Sequence, residues 1–64
     1  MAIKLKAARV NADLSQAEAA KRLGIGKGTL ANYERYITKP DIEMGKKIAT
    51  LYGMELDEIA WNNG

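Results

Sequence analysis

The sequence predicts an all-α fold of five short helices, and three observations predict it. The stretch Leu14 to Arg35 carries a helix-start signal, a glycine turn and a second helical run in close succession. The 47% of apolar residues recur mostly at helical spacing. Val and Ile are few and scattered, and there is one Pro and no Phe, so strand-forming runs are missing.

Helix 1 is expected over residues 2–12. Leu5, Ala8 and Ala12 share one face, and Ile3, Ala7 and Val10 form a neighbouring stripe. Asp13 stands where a helix-ending glycine would be easier, although Asp tolerates the left-handed region better than most residues. Helix 2 is expected over 16–23. Ser15 followed three residues later by Glu18 is a capping box, in which each side chain accepts from the other residue's N–H. Gly24 closes that helix, Ile25 plugs the turn into the core, and Gly26 starts helix 3, expected over 27–35. Its period turns Leu30 and part of Tyr33 and Glu34 inward, and Lys27, Gly28, Ala31, Asn32 and Arg35 outward. A loop follows, because Pro40 disfavours helix at Lys39. Asp41 caps helix 4, expected over 42–52 with Met44, Ile48, Ala49 and Tyr52 inward, and Gly53 ends it. Helix 5 is expected over 56–61, before a loose Asn-Asn-Gly tail.

Sixty-four residues suit one domain over 1–64, a size that buries only about 60% of its unfolded surface. The chain has no Cys and no His, which removes disulfides, thiolate metal sites and the usual general bases. No paired carboxylates fall in a plausible cleft. Gly24, Gly26 and Gly28 lack the preceding strand and the spacing of a nucleotide loop. An enzyme is therefore not expected, nor is any cofactor or metal. No apolar run approaches the roughly 18 residues of a membrane span, and a signal peptide is not expected in MAIKLKAARV, so a cytoplasmic location is the expectation.

The net charge of +2 is unevenly spread: residues 1–13 carry +2, residues 14–40 carry +3 and residues 41–64 carry −3. A basic front and an acidic back suit a protein that meets phosphates with its front, although a small domain with an ordinary mixed surface can look the same.

Two short helices at a steep angle, joined by a glycine-containing turn, form the helix-turn-helix unit, whose second helix lies in the DNA major groove. The combination of Gln16, Ala20, Gly24, Leu30, Glu34, Arg35, Pro40, Ile48, Ala49 and Gly53 at these spacings resembles the Cro/repressor-type (Xre-like) helix-turn-helix family. The resemblance covers roughly residues 5–59 and implies a five-helix, lambda-repressor-like DNA-binding domain. It implies a transcriptional regulator, of the prophage or bacterial repressor kind. It also implies a partly buried ion pair between Arg9 and Glu34 and a phosphate contact for Gln16. The alternatives are that the pair is solvated and that Gln16 is merely exposed.

Several positions depart from the family pattern. Ala8, Ala19 and Gly45 stand where relatives carry larger apolar residues, so Met44, Trp61 or a tyrosine is expected to fill the room. Gly26 and Gly28 replace Ser-type residues, and Tyr36 and Ile37 replace a Gly and a polar residue.

On helix 3, Lys27 can donate to guanine O6 and N7, or to a phosphate. Gly28 permits close approach without reading a base. Ala31 can touch a thymine methyl, and the Asn32 amide can pair with adenine N6 and N7. Thr29, Arg35, Thr38 and Lys39 have donors for backbone oxygens, as does Tyr36 unless it packs on the domain surface. Lys4 and Lys6 can extend the basic front, but read first as ordinary solvated lysines. The expected partner is double-stranded DNA with a near-palindromic operator, bound by a weak or DNA-induced homodimer. The competing reading is an antitoxin or protein-interaction module whose main partner is a toxin or another regulator.

Overall fold

The structure, a computed structural model, describes residues 1–63; Gly64, the end of the expected tail, lies outside the described residues. The order of elements is β1 (Ile3–Lys4), α1 (Leu5–Asn11), α2 (Gln16–Leu23), α3 (Lys27–Glu34), α4 (Ile42–Tyr52), a 3-10 turn (Leu56–Glu58) and β2 (Ile59–Ala60). α2 packs on α3 and α4, and α1 packs across α3 and α4. Leu5, Leu30 and Ile48 are the largest fully buried side chains. Ala19 and Ala20 on α2 and Ala49 on α4 keep the helices close together.

The chain is mostly helical, as expected, but two of the five expected helices change. Helix 1 starts at Leu5 rather than at residue 2, because Ile3 and Lys4 are extended and Lys4 has ψ 150°. The helix expected over 56–61 is a single 3-10 turn followed by a strand. Ile59 takes φ −109° and ψ 134°, a conformation suited to its β-branched side chain. β1 and β2 pair in parallel, Ile3 opposite Ile59 and Lys4 opposite Ala60. That pairing satisfies backbone groups at both ends of the chain and buries Ile59. Of the second stripe expected on helix 1, Ile3 is half-buried against the core, whereas Ala7 and Val10 are exposed.

All four helices end in the same way. At the first residue past α2 and α4, and at the second past α1 and α3, the backbone N–H donates to the carbonyl three residues back, and the next residue donates to the carbonyl five back. This closure needs one left-handed residue, and the four are Asp13, Gly24, Tyr36 and Gly53. Glycine has no side chain to clash there, and Asp is tolerant; Tyr36 is the costly member, at φ 59°.

The starts are capped as their sequences suggest. Ser15 Oγ accepts from the Glu18 N–H at 3.0 Å, and Glu18 Oε1 accepts from the Ser15 N–H at 3.3 Å. The backbone N–H of Ser15, with its hydroxyl, holds the Glu18 carboxyl below its ordinary range. Asp41 Oδ1 accepts from the Met44 N–H at 2.8 Å.

Gly45 lies inside α4 and faces Leu56 and Trp61, which take up the room left by its missing side chain. The Trp61 ring is fixed by its Nε1–H, which donates to the Leu56 carbonyl at 2.8 Å. A Cβ at Gly45 would stand 3.7 Å from Leu56 Cδ2 and 3.9 Å from Trp61 Cη2, ordinary packing distances. Gly45→Ala is therefore expected to stabilise the chain by about 1 kcal/mol, through backbone entropy. A thermal melt should show Tm rising by about 5 °C.

Candidate nucleic-acid interface

α3 is anchored from below and open above. Leu30 is completely buried, whereas Lys27, Gly28 and Thr29 in the first turn are exposed. No side chain caps that turn, since Gly26 has none to offer. Ala31 and Asn32 are half-buried on the next turn. The Asn32 side-chain amide has no hydrogen-bond partner among the described residues. Its backbone carbonyl accepts from Ile37 and Thr38, at 2.9 and 3.4 Å. Arg35, Thr38 and Lys39 are exposed in the segment that leaves the helix.

A buried polar cluster ties α3 to α1 and α2. Arg9 Nε donates to Glu34 Oε2 at 2.7 Å, and Arg9 Nη2 donates to Glu34 Oε1 at 3.3 Å. Arg9 Nη1 donates to the Leu14 carbonyl at 2.9 Å. Gln16 Nε2 donates to Glu34 Oε1 at 3.0 Å. The two charged side chains are 9% and 4% exposed. One guanidinium and one carboxylate thus join α1, the α1–α2 turn, the first residue of α2 and the last residue of α3. The paired arrangement matters because neither charge is left bare in a low-dielectric setting.

The same cluster orients Gln16. One hydrogen of its amide nitrogen goes to Glu34, and the second remains for an acceptor outside. A groove runs along this side of the molecule. Lys6, Ser15, Gln16, Lys27, Ala31 and Arg35 line it together with the buried pair. The structure therefore brings Gln16, Lys27, Ala31 and Arg35 to one surface. It adds Lys6, for which extension of the basic front was the less favoured expectation. The available signal was position: Lys6 lies three residues before Arg9, on the same side of α1.

Tyr36 is placed differently from the other candidates. Its hydroxyl accepts from the Leu5 N–H at 3.2 Å and donates to the Ala60 carbonyl at 2.9 Å. A phenol has one hydrogen to give, and here Ala60 receives it. In this arrangement none is left for a phosphate oxygen, in contrast to the phosphate grip expected of this residue. The ring also carries Lys4, whose Nζ stands 6.0 Å from the ring centroid and donates to Asn63 Oδ1 at 3.3 Å.

Beneath the cluster, the Tyr52 hydroxyl is buried without a hydrogen-bond partner among the described residues. Burial, with the Glu34 carboxylate adding to it and Arg9 opposing, pushes its pKa up to about 12. An unfolded tyrosine ionises at about 10. Between these two values the unfolded chain holds fewer protons than the folded one, so stability falls as pH rises through that window. Tyr52→Phe is expected to leave stability at neutral pH unchanged or slightly higher, because a stranded polar group is removed. The variant should also lose less stability than the parent in urea melts run at about pH 9 and about pH 11.

No helix among the described residues is long and apolar enough to cross a membrane. A helix-turn-helix family model matches residues 5–59. Over 56 residues the chain is 38% identical to the cryptic phage CTXphi transcriptional repressor RstR of Vibrio cholerae, a match covering 88% of this chain and 50% of that protein. Over 56 residues it is 43% identical to the HTH-type transcriptional regulator ImmR of Bacillus subtilis (strain 168), covering 88% of this chain and 44% of that protein. The chain spans about half the length of the curated relatives it matches. No solved structure matches at a significant level.

Proposed function

Since the chain belongs to the Cro/repressor-type (Xre-like) helix-turn-helix family, we propose that it is a sequence-specific DNA-binding transcriptional regulator of the repressor kind. α3 reads the major groove. Lys27, Gly28, Ala31 and Asn32 meet base edges, and Gln16, Thr29, Arg35, Thr38 and Lys39 meet phosphates. The observation that carries this reading is the α3 surface itself. An asparagine amide with no partner among the described residues and an exposed lysine lie on a helix whose other side is locked by Leu30 and the Arg9–Glu34 pair.

Few side chains here can read bases, so affinity comes from two copies on a near-palindromic operator, about one helical turn between half-sites. The dimer is weak or forms on the DNA. The domain works in the cytoplasm and needs no cofactor. The likeness to two named regulators supports the reading without assigning their targets to this chain.

The experiment is selection of bound duplexes from a random pool, followed by affinity measurements across salt. The expected result is a selected site bound at least about a thousandfold tighter than random duplex. Log affinity should fall linearly with log salt, with a slope of about −0.9 for each phosphate neutralised. Failure to enrich any sequence, together with salt-independent binding, overturns the proposal.

A second reading is favoured by one feature. Pro40, Ile42, Gly45, Leu56 and Trp61 line an apolar groove beside the acidic end of the chain, and Ile42 is 67% exposed. In that reading the fold serves as an antitoxin or interaction module whose partner is a protein. The pool selection separates the two, because a protein-binding module enriches no DNA.

A further inference from the structure

We propose that Tyr36 is a positioning residue for the phosphate grip. Its hydroxyl, held between the first residue of α1 and the strand β2, fixes where Arg35, Thr38 and Lys39 stand, and it does not itself meet DNA. The inference rests on the DNA-binding reading above and adds to it a link from the ends of the chain to the binding surface.

Three observations carry it. The first is the chemistry of the hydroxyl. A phosphate oxygen needs a donor, and the one hydrogen of Tyr36 is given to Ala60 in β2 at 2.9 Å. The oxygen also accepts the N–H of Leu5, the first residue of α1, at 3.2 Å. That helix has no side-chain cap at Lys4, so the tyrosine supplies a partner that α1 otherwise lacks.

The second is the backbone. Tyr36 occupies the left-handed position that closes α3, at φ 59°. The equivalent residues closing the other helices are Asp13, Gly24 and Gly53, all better suited to it. A large aromatic residue at this position is held by something else, and the two hydroxyl hydrogen bonds to distant parts of the chain are that something.

The third is the segment that depends on it. Ile37, Thr38 and Lys39 are exposed between α3 and the Asp41 cap of α4. Besides Tyr36, the fixings near its start are the Ile37 and Thr38 N–H groups on the Asn32 carbonyl, the latter long at 3.4 Å. The clasp therefore decides how firmly the cations on either side of Tyr36 are aimed. Whatever holds or pulls β2 acts on the same hydroxyl.

The test compares the full chain with Tyr36→Phe on the selected duplex and on random duplex. The temperature is one at which circular dichroism shows both proteins folded. The phenylalanine keeps the ring and loses both hydrogen bonds. Affinity is expected to fall about tenfold on both duplexes alike. The salt slope should shrink by about 0.9 for each cation that loses its phosphate. Lys39→Ala should weaken the parent and have little further effect in the Tyr36→Phe background.

A fall in affinity with an unchanged salt slope means that the neutral hydroxyl touched DNA directly, and it overturns the inference. Parent-like binding by Tyr36→Phe overturns it as well. If the variant does not fold, hydrogen exchange of the parent's Leu5 amide decides. Protection retained on DNA supports the clasp, and protection lost on DNA overturns it. A parent chain that binds no duplex brings down the DNA-binding reading and this inference together. The outcomes on a DNA-binding parent concern Tyr36 alone.

Discussion

Glu34→Ala is expected to destabilise the folded chain by about 3–5 kcal/mol, which for a domain this small leaves little or nothing. The change removes the acceptor of both Arg9 contacts and of the Gln16 amide. The Arg9 residue is 8% exposed, so its charge would have no counterion and little water. One bond to the Leu14 carbonyl would remain, and it does not neutralise the charge. The cost is that of a stranded charge and not the net worth of the pair, and a second variant separates the two. In Arg9→Met/Glu34→Leu both charges leave together, and apolar side chains occupy the site. That double variant should recover much of the lost stability, giving a large coupling in a double-mutant cycle. Urea unfolding of the parent, the two single variants and the double variant measures it. A Glu34→Ala loss under about 1 kcal/mol would show that the pair is effectively solvated.

Asn32→Ala is expected to reverse that profile, leaving the fold alone and changing recognition. The side chain holds nothing among the described residues, and alanine is the better helix former. The backbone carbonyl that closes α3 is retained. On the selected operator the variant should lose about 1–3 kcal/mol of binding free energy. The loss should be confined to one base position per half-site, where the variant accepts other bases about equally. Affinities for the operator and its single-base variants measure this. A uniform loss across all positions would move Asn32 from base reading to backbone contact.

How far the sequence told this in advance depends on the range of each signal. α2, α3 and α4 were legible because their boundaries are written locally, by Ser15 with Glu18, Gly24, Asp41 and Gly53. The burial of Leu30 and the exposure of Lys27, Gly28 and Arg35 followed from a short period, whereas Ala31 and Asn32, expected outward, are half-buried. The room beside Gly45 was legible as a shortage of side-chain volume, and Trp61 is one of the two residues that take it up.

The terminal strands were not legible. Each is two residues long, too short for alternation to register, and the partners come from opposite ends of the chain. Residues 56–61 carry a helical spacing of apolar groups. The pairing of Ile59 and Ala60 with Ile3 and Lys4 overrode it. Tyr36 stayed open, between a backbone donor and packing on the domain surface, for a related reason. Beside Arg35 and Lys39 it looked like one more backbone donor, and its two partners lie in segments the sequence had assigned to helices. The Arg9–Glu34 pair was reached only through family resemblance. No local pattern joins side chains so far apart in the chain.

The central claim is that α3 enters the major groove, and methylation interference on the selected operator tests it directly. Dimethyl sulfate marks guanine N7 in the major groove and adenine N3 in the minor groove, so one experiment probes both. The expected result is interference by guanine N7 methylation in two clusters about one helical turn apart, with adenine N3 methylation tolerated within them. Interference from adenine N3 alone, or from neither position, would contradict it.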